Sequence, residues 1–482
     1  MGWLKDVSTF LLVLNLLLAL AIVFLERRNV GVTWAWLMVL LFLPGLGFVL
    51  YLILGQNLSR RKLYKIREED QRKLDSLIES QRESFRRHQI HYNDPEMVIY
   101  QDLIYMNLRS GHALFTQNNA VEVFTDGPSK FDRLFADLEA ARHHIHLQYY
   151  ILNADGLGKR LVELLARKAQ EGVQVRLLYD DIGSNRLPRH FFDGLIRAGG
   201  QVAAFFPSRI PYLNFRVNYR NHRKVAVIDG EFGYIGGFNV GDEYLGLNPR
   251  YGFWRDTHLR LQGTTVLQLQ AHFLMDWNLA SVHKLKEETS FFPLYRPGVG
   301  QVGVQIVASG PDNEMEQIKN AYIKMINDAK ESIYIQSPYF IPDESLLNAL
   351  KLAIWSGVDV RMMIPSRPDH RMVYWASWSY LGELLEAGMK CFLYEKGFLH
   401  AKMVVIDGRV ASVGTANMDI RSFKLNFEIN AFLYDTATAS RLQAIFEEDM
   451  EHSLQLTYDI YRNRSALYKL RESCTRLLSP IL

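Results

Sequence analysis

Cysteine is nearly absent from this 482-residue chain, which has only Cys391 and Cys474, far apart. Two such residues have no zinc-site spacing and cannot form a disulfide framework, so a reducing compartment is the natural home. A strong excess of either charge is also missing. The formal net charge is +3, from 55 basic and 52 acidic residues. A dedicated nucleic-acid binder carries a marked basic excess, so no nucleic-acid partner is expected. Charge is absent in a third, local sense: residues 7–25 (VSTFLLVLNLLLALAIVFL) and 32–54 (VTWAWLMVLLFLPGLGFVLYLIL) hold no Asp, Glu, Lys or Arg.

Each apolar run reaches the length of about 20 residues needed to cross a bilayer as a helix. The alternative for the first run is a cleaved signal peptide, with Ala19 and Ala21 as its small residues. A basic lead of Lys5 alone and the second run close behind favour a transmembrane hairpin over residues 1–57. Pro44, Gly45 and Gly47 are tolerable in a membrane helix and can kink it. Arg27 and Arg28 lie between the runs, whereas Arg60, Arg61, Lys62, Lys65 and Arg67 follow the second. The larger basic cluster stays in the cytoplasm, so the expectation is a multi-pass protein of the cell membrane whose main body faces the cytoplasm. Residues 58–117 read as a charged juxtamembrane linker that begins as a solvated helix over about 58–90.

What is present, twice, is the pattern His-x-Lys-x-x-x-x-Asp. The first copy is His222, Lys224 and Asp229 in NHRKVAVIDGEFGYIGGFN; the second is His400, Lys402 and Asp407 in LHAKMVVIDGRVASVGTAN. Gly236 and Gly414 then occupy matching positions, followed by Asn239 and Asn417. Upstream, IHLQYY (145–150) and EGVQVRLLYD (171–180) match IYIQSPYF (333–340) and SGVDVRMMIP (356–365) in order. Strand and helix signals alternate, which predicts an α/β fold made of a duplicated domain, with halves at 118–297 and 298–482.

Side chains two apart on a strand share a face, so His222 pairs with Lys224 and His400 with Lys402. The odd spacing puts each Asp on the opposite face. Asp229-Gly230 and Asp407-Gly408, flanked by apolar residues, are hairpin turn signals, which favours scaffold roles for the two aspartates over direct proton transfer. A His, a Lys and an Asn from each half suit a phosphodiester. Ammonium and amide groups can hold its non-bridging oxygens while one imidazole attacks phosphorus and the other protonates the leaving oxygen. Asp256 and Glu428, in strand-like segments after the hairpins, are candidates to orient the imidazoles. His143, His144, His258 and His370 lack a repeated context and read as structural, His370 with a second option of lining the entrance. The scheme calls for no metal and no cofactor.

These motifs, with FWRDTHLRLQG and GTANMDIRSFKLNFEINAF, resemble the phospholipase D superfamily and, within it, the bacterial cardiolipin synthases. The resemblance spans essentially the whole chain. It implies two tandem phospholipase D-like α-β-α sandwich domains meeting at a shared site, behind the N-terminal transmembrane helical hairpin. It further implies phosphatidyl transfer from one phosphatidylglycerol to another, giving cardiolipin and glycerol, with His222 as nucleophile and His400 as acid/base. Phosphatidylglycerol and cardiolipin are thus the implied membrane partners; protein partners are not indicated. Gly237 and Thr415 depart from the superfamily's serine at that position, and Gly237 can supply no hydroxyl. Hydrolysis to phosphatidic acid, transfer to another alcohol, nuclease action and a silent scaffold are the competing readings. The completeness of both motifs argues against the last.

Overall fold

One strand order occurs twice. The first half contributes β1 (Thr116–Asp126), β2 (His144–Tyr149), β3 (Gln174–Asp180), β4 (Gln201–Phe205), β5 (Val225–Ile228), β6 (Phe232–Gly236) and β7 (Phe253–Gly263). The second contributes β8 (Val302–Ser309), β9 (Ser332–Gln336), β10 (Asp359–Pro365), β11 (Lys390–Tyr394), β12 (Met403–Ile406), β13 (Val410–Gly414) and β14 (Asn426–Tyr434). Hydrogen bonding orders them β4-β3-β2-β5-β6-β7-β1 and β11-β10-β9-β12-β13-β14-β8. In a computed structural model, the chain is described at residues 13–20, 30–43, 45–54, 63–64, 68–207, 218–285, 289–293 and 298–479.

The parallel steps need crossover helices, and the sequence supplies them with capping residues. Gly156–Gln170 links β2 to β3, and the Asp155 carboxylate caps it by accepting from Gly158 N. Glu344–Trp355 links β9 to β10 under the same kind of cap from Asp343 to Leu346 N. Such a cap contributes about 1 kcal/mol. Covered on both faces, β2 is buried along its whole length. Alternation along β3 shows the layering: Leu177 packs with Phe131, Leu161 and Leu165 of the helices on one side, while Leu178 packs with Phe273 and Trp277 of helix Thr265–Ala280 on the other. In the second half Gln317–Asp328 and Glu344–Trp355 pack on one side and Thr436–Met450 on the other.

The halves are joined through their sheets. β1 pairs antiparallel with β8, Thr116 opposite Val304 and Asn119 opposite Val302. One buried cluster holds Val225, Val227, Ile235 and Leu259 of the first half together with Val405, Val413, Ile429 and Leu433 of the second. At about 1.5–3 kcal/mol for each fully buried aliphatic side chain, that shared cluster fixes the two halves against each other.

Two expectations change. Among the described residues, the helix expected to be solvated is docked instead: Glu68–Arg86 buries Ile78 and Phe85 beside Leu103, Leu108 and Ile318 in the second half's core. Gln81 also exchanges two 2.8 Å hydrogen bonds with the Phe115 backbone. Its charged residues occupy the outer face, where Arg82–Glu79 and Arg87–Glu83 pair. Second, the apolar run 32–54 is not one helix but two, Val30–Phe42 and Leu46–Leu54, with Gly45 between them at φ +83°. A proline at 44 has no N–H to donate to a helical ladder. Residues 13–20 are helical and Asn15 donates to the Leu40 carbonyl, 3.3 Å away, so the first run packs on the second. The rest of the first run, 7–12 and 21–25, lies outside the described residues. No helix among the described residues is long and apolar enough to cross a membrane.

Candidate active site

Each motif is carried by the hairpin that the Asp-Gly pairs predict. Asp229 and Gly230 have φ of 54° and 68°, Asp407 and Gly408 of 52° and 61°, the left-handed backbone such turns require. The aspartates hold the turns in place. Asp229 accepts from the backbone N–H groups of Arg142, His143 and His144 at 2.8, 2.8 and 2.9 Å. Asp407 accepts from those of Lys330, Glu331 and Ser332 at 2.9, 2.8 and 2.9 Å. Both tie a hairpin to the start of its neighbouring strand, and neither lines the cavity that holds the histidines. Of the six motif residues only His222 and His400 line it; Lys224 and Lys402 are buried behind the histidines, whereas the two aspartates serve the turns.

His222 and Lys224 precede β5, and His400 and Lys402 precede β12, in extended segments outside the regular ladder. Short parallel ladders across the halves, Arg220–Asn221 with Asn426–Phe427 and Gly397–Leu399 with Phe253–Arg255, bring the His222 N–H to Phe427 O at 3.0 Å and the His400 N–H to Arg255 O at 2.7 Å. Each of these acceptors belongs to the other half. The carboxylates follow the same crossing. His222 Nδ1 lies 3.0 Å from Glu428 Oε2, and His400 Nδ1 lies 2.7 Å from Asp256 Oδ2. The sequence picks out both carboxylates, and the structure assigns each to the histidine of the other half. A fully buried carboxylate is acceptor-only when ionised, so it fixes the proton on Nδ1 and leaves Nε2 as the free nitrogen.

Electrostatics separate the two imidazoles. Burial pushes His222 down to about 4, against a partial restoring pull from Glu428. His400 is also lowered, by burial and then by the Lys402 charge. Lys224 donates to the His222 carbonyl at 2.6 Å, and Lys402 donates to the His400 carbonyl. Burial brings Lys224 down to about 7 and Lys402 to about 8, with Glu428 and Asp256 opposing the shift.

His222 and His400 line one cavity of about 430 Å³ together with Asn239 and Asn417. Asn239 is engaged at both ends, its Oδ1 accepting from Ile151 N at 3.0 Å and its Nδ2 donating to the Tyr244 hydroxyl at 3.1 Å. Asn417 differs: its buried Oδ1 has no hydrogen-bond partner among the described residues. Aromatic walls complete the cavity. Tyr150 stands edge-on to His222 at 4.8 Å, and Trp254 lies 5.4 Å from His400. Arg220 and Arg421 line the side near His222. His370 does lie at the cavity, mostly exposed, whereas His143, His144 and His258 are elsewhere.

A second repeated layer escaped the motif reading. Gln148 Nε2 donates to Asp276 at 2.6 Å and Gln336 Nε2 donates to Asp449 at 2.7 Å. Each aspartate also holds a buried arginine, Arg223 on Asp276 at 2.8 Å and Arg255 on Asp449 at 2.8 Å. Arg223 and Arg255 adjoin His222 and Asp256 in sequence, so these pairs set the backbone beside both reacting groups. The visible signal was the glutamine at the same place in IHLQYY and IYIQSPYF.

The chain matches a known family model, described as cardiolipin synthase, phospholipase D-like domain, over residues 134–277 and 322–450, once in each half. The chain belongs to that family. A second model, phospholipase D-nuclease N-terminal, matches residues 13–56. The major cardiolipin synthase ClsA of Bacillus subtilis (strain 168) is 54% identical over 471 residues, 98% of this chain and 98% of that one. A cardiolipin synthase of Listeria monocytogenes serotype 4b (strain CLIP80459) is 52% identical over 483 residues, covering 100% of both. The solved structure of phosphatidylserine synthase from Haemophilus influenzae Rd KW20 shares the fold, with a TM-score of 0.61 at 14% identity over 79% of this chain and 100% of that one. Against the superfamily's serine, the cardiolipin synthase family member described here has Gly237, and the structure shows why it fits. A Cβ added there would stand 1.9 Å from Asp256 Oδ1, so the carboxylate that orients His400 occupies the side-chain space.

Proposed function

We propose that this chain is a membrane-bound phosphatidyltransferase that moves the phosphatidyl group of one phosphatidylglycerol to the hydroxyl of another, releasing glycerol and forming cardiolipin. The observation that carries the reading is the pair of imidazoles in one cavity, each fixed by the other half's carboxylate. In the first step the Nε2 lone pair of His222 forms a bond to phosphorus, the bond to the glycerol oxygen breaks, and His400 gives that oxygen its proton. In the second step an acceptor hydroxyl returns a proton to His400, its oxygen bonds phosphorus, and the bond to His222 breaks. The depression of His222 to about 4 supports its role as the neutral nucleophile, and the Asp256 carboxylate at 2.7 Å, which pulls His400 upward against burial, supports its role in proton exchange. Buried ammonium groups on Lys224 and Lys402 stabilise the negative charge that builds on the phosphoryl oxygens, an effect magnified away from water.

The two apolar runs and the basic residues behind the second support attachment to the cell membrane with the catalytic halves in the cytoplasm. The test is to incubate the full chain with phosphatidylglycerol vesicles and read the lipids by mass spectrometry. Cardiolipin with equimolar glycerol is the expected result; phosphatidic acid as the only product overturns it. His222→Ala and His400→Ala should each abolish turnover, and labelled phosphatidyl-enzyme should be trapped in the His400 variant but not in the His222 variant.

A further inference from the structure

Beside the active-site cavity lies a second cleft of about 560 Å³, and the two share Tyr251 in their walls. Four of its lining residues are basic, Arg250, Arg367, Arg371 and Lys396, against one acid, Glu395. All four bases are exposed, and no ion pair engages any of them among the described residues. Arg250 is held in place from below, donating to the Asp369 carbonyl at 3.2 Å and lying 5.2 Å over the Tyr251 ring. Such a group of like charges repels itself and favours an anion. The salt bridges common elsewhere on this surface are missing here.

The cleft also has a side. Its wall includes Phe398, whose ring stacks on His400 at 6.1 Å and packs on Trp254 at 4.9 Å. Lys396 and Phe398 belong to the segment that runs directly into His400. Because His400 protonates the departing glycerol, the acceptor hydroxyl it later deprotonates must approach from this same side. A phosphatidylglycerol acceptor carries its own phosphodiester on the far end of that glycerol. That second anion has no place between His222 and His400, where the transferred phosphorus sits.

We propose that Arg250, Arg367, Arg371 and Lys396 form a binding site for the phosphodiester of the acceptor lipid, which selects an anionic lipid alcohol over water or a neutral alcohol. The proposal rests on the phosphatidyltransferase reading above. It also predicts that the cleft holds one of the two phosphates of the product before release.

Exchange of labelled glycerol into phosphatidylglycerol provides the control, since it uses the same donor, leaving group and nucleophile and lacks only the acceptor phosphate. The full chain and its R250Q/R367Q/R371Q/K396Q variant would be given phosphatidylglycerol vesicles with isotopically labelled glycerol. Expected is a loss of cardiolipin formation of about tenfold or more, as four weak ion contacts are removed together, with label exchange unchanged. The charge-keeping variant R250K/R367K/R371K should recover most of the cardiolipin rate. Equal loss of both reactions, or no loss of either, overturns the acceptor site. Failure of the unmodified chain to make cardiolipin or to exchange glycerol overturns instead the phosphatidyltransferase reading beneath it.

Discussion

The crossing of the carboxylates can be tested without altering the shape of the site. Glu428→Gln and Asp256→Asn each keep an oxygen within reach of the histidine Nδ1 but remove the charge. A hydrogen bond to an ionised partner contributes about 1.5–3 kcal/mol, so a step that develops positive charge on the paired imidazole should slow about 10- to 150-fold. Glu428 faces His222 at 2.9 and 3.0 Å. Its loss should therefore slow formation of the phosphatidyl-enzyme, in which the His222 ring becomes cationic. Higher pH should not rescue that variant. Removing Glu428 takes away a charge that raises His222, so the ring, already near 4, moves lower and stays neutral throughout the assay range. Asp256 faces His400 at 2.7 Å. Its loss should slow consumption of the adduct by acceptor lipid, so labelled enzyme persists. Single-turnover quench with labelled phosphatidylglycerol separates the two steps. If Asp256→Asn instead slows adduct formation and Glu428→Gln prolongs the adduct, the histidines pair within their own halves and the crossing is refuted.

His400 and both lysines must be charged in the free enzyme, so kcat/KM should fall as pH rises, first as His400, held below the ordinary histidine value by burial and the Lys402 charge, gives up its proton, then through about 7 for Lys224 and about 8 for Lys402. An alkaline limb beyond pH 10 in the kcat/KM profile would contradict the burial of these ammonium groups. On the acid side, kcat/KM should hold down to about 4, where His222 protonates, and a limb at the ordinary histidine value would count against His222 as the buried nucleophile. Asp229→Ala and Asp407→Ala each strand three backbone donors, costing about 2–4 kcal/mol of stability. Thermal melting should record that loss while the folded fraction retains its kcat; a fall in kcat with unchanged melting would restore a chemical role to the aspartates. Gly237→Ser, which adds the hydroxyl found at this position in the wider superfamily, should lower both Tm and turnover, because the new side chain must displace the Asp256 carboxylate. Normal activity in that variant would show that the carboxylate is dispensable.

The local parts of this site could be read from the chain because their physics is local. Asp-Gly between apolar strands forces a left-handed turn, and odd spacing turns each aspartate away from its histidine, so the scaffold role of Asp229 and Asp407 was legible. The partner of each histidine was not. Asp256 and Glu428 occupy equivalent places after equivalent hairpins, and nothing in their spacing says which sheet edge will face which. That pairing is set where Arg220–Asn221 lies along Asn426–Phe427 and Gly397–Leu399 along Phe253–Arg255, contacts made only once the halves close on a common core. The docking of Glu68–Arg86 was legible but overshadowed. Leu74, Ile78 and Phe85 recur at a helical spacing, yet they are scattered among charges that dominate the composition of the segment. By contrast, the place where the run 32–54 breaks was legible in Pro44, Gly45 and Gly47, while the apolar count alone gave no sign that the kink would split it into two helices.

Crossed carboxylates also explain how two copies of one motif come to do different work. Were each histidine oriented by its own half, the two half-sites would be interchangeable, and the assignment of nucleophile and acid would have to come from the substrate. Here each imidazole samples the other half's chemistry. His222 meets Glu428, whose surroundings include the Thr415 hydroxyl and the Lys224 charge. His400 meets Asp256, shorter by one methylene and pressed against Gly237. The longer acid beside a threonine and the shorter acid beside a glycine are matched pairs, since a side chain at 237 would exclude Asp256 from its place. Both rings are equally buried, and burial pushes both toward the neutral form, His222 to about 4. In the proposed mechanism a phosphorus between them is attacked from the His222 side and left or approached from the His400 side. That direction is what places the exposed arginines and Lys396 on the path of the acceptor.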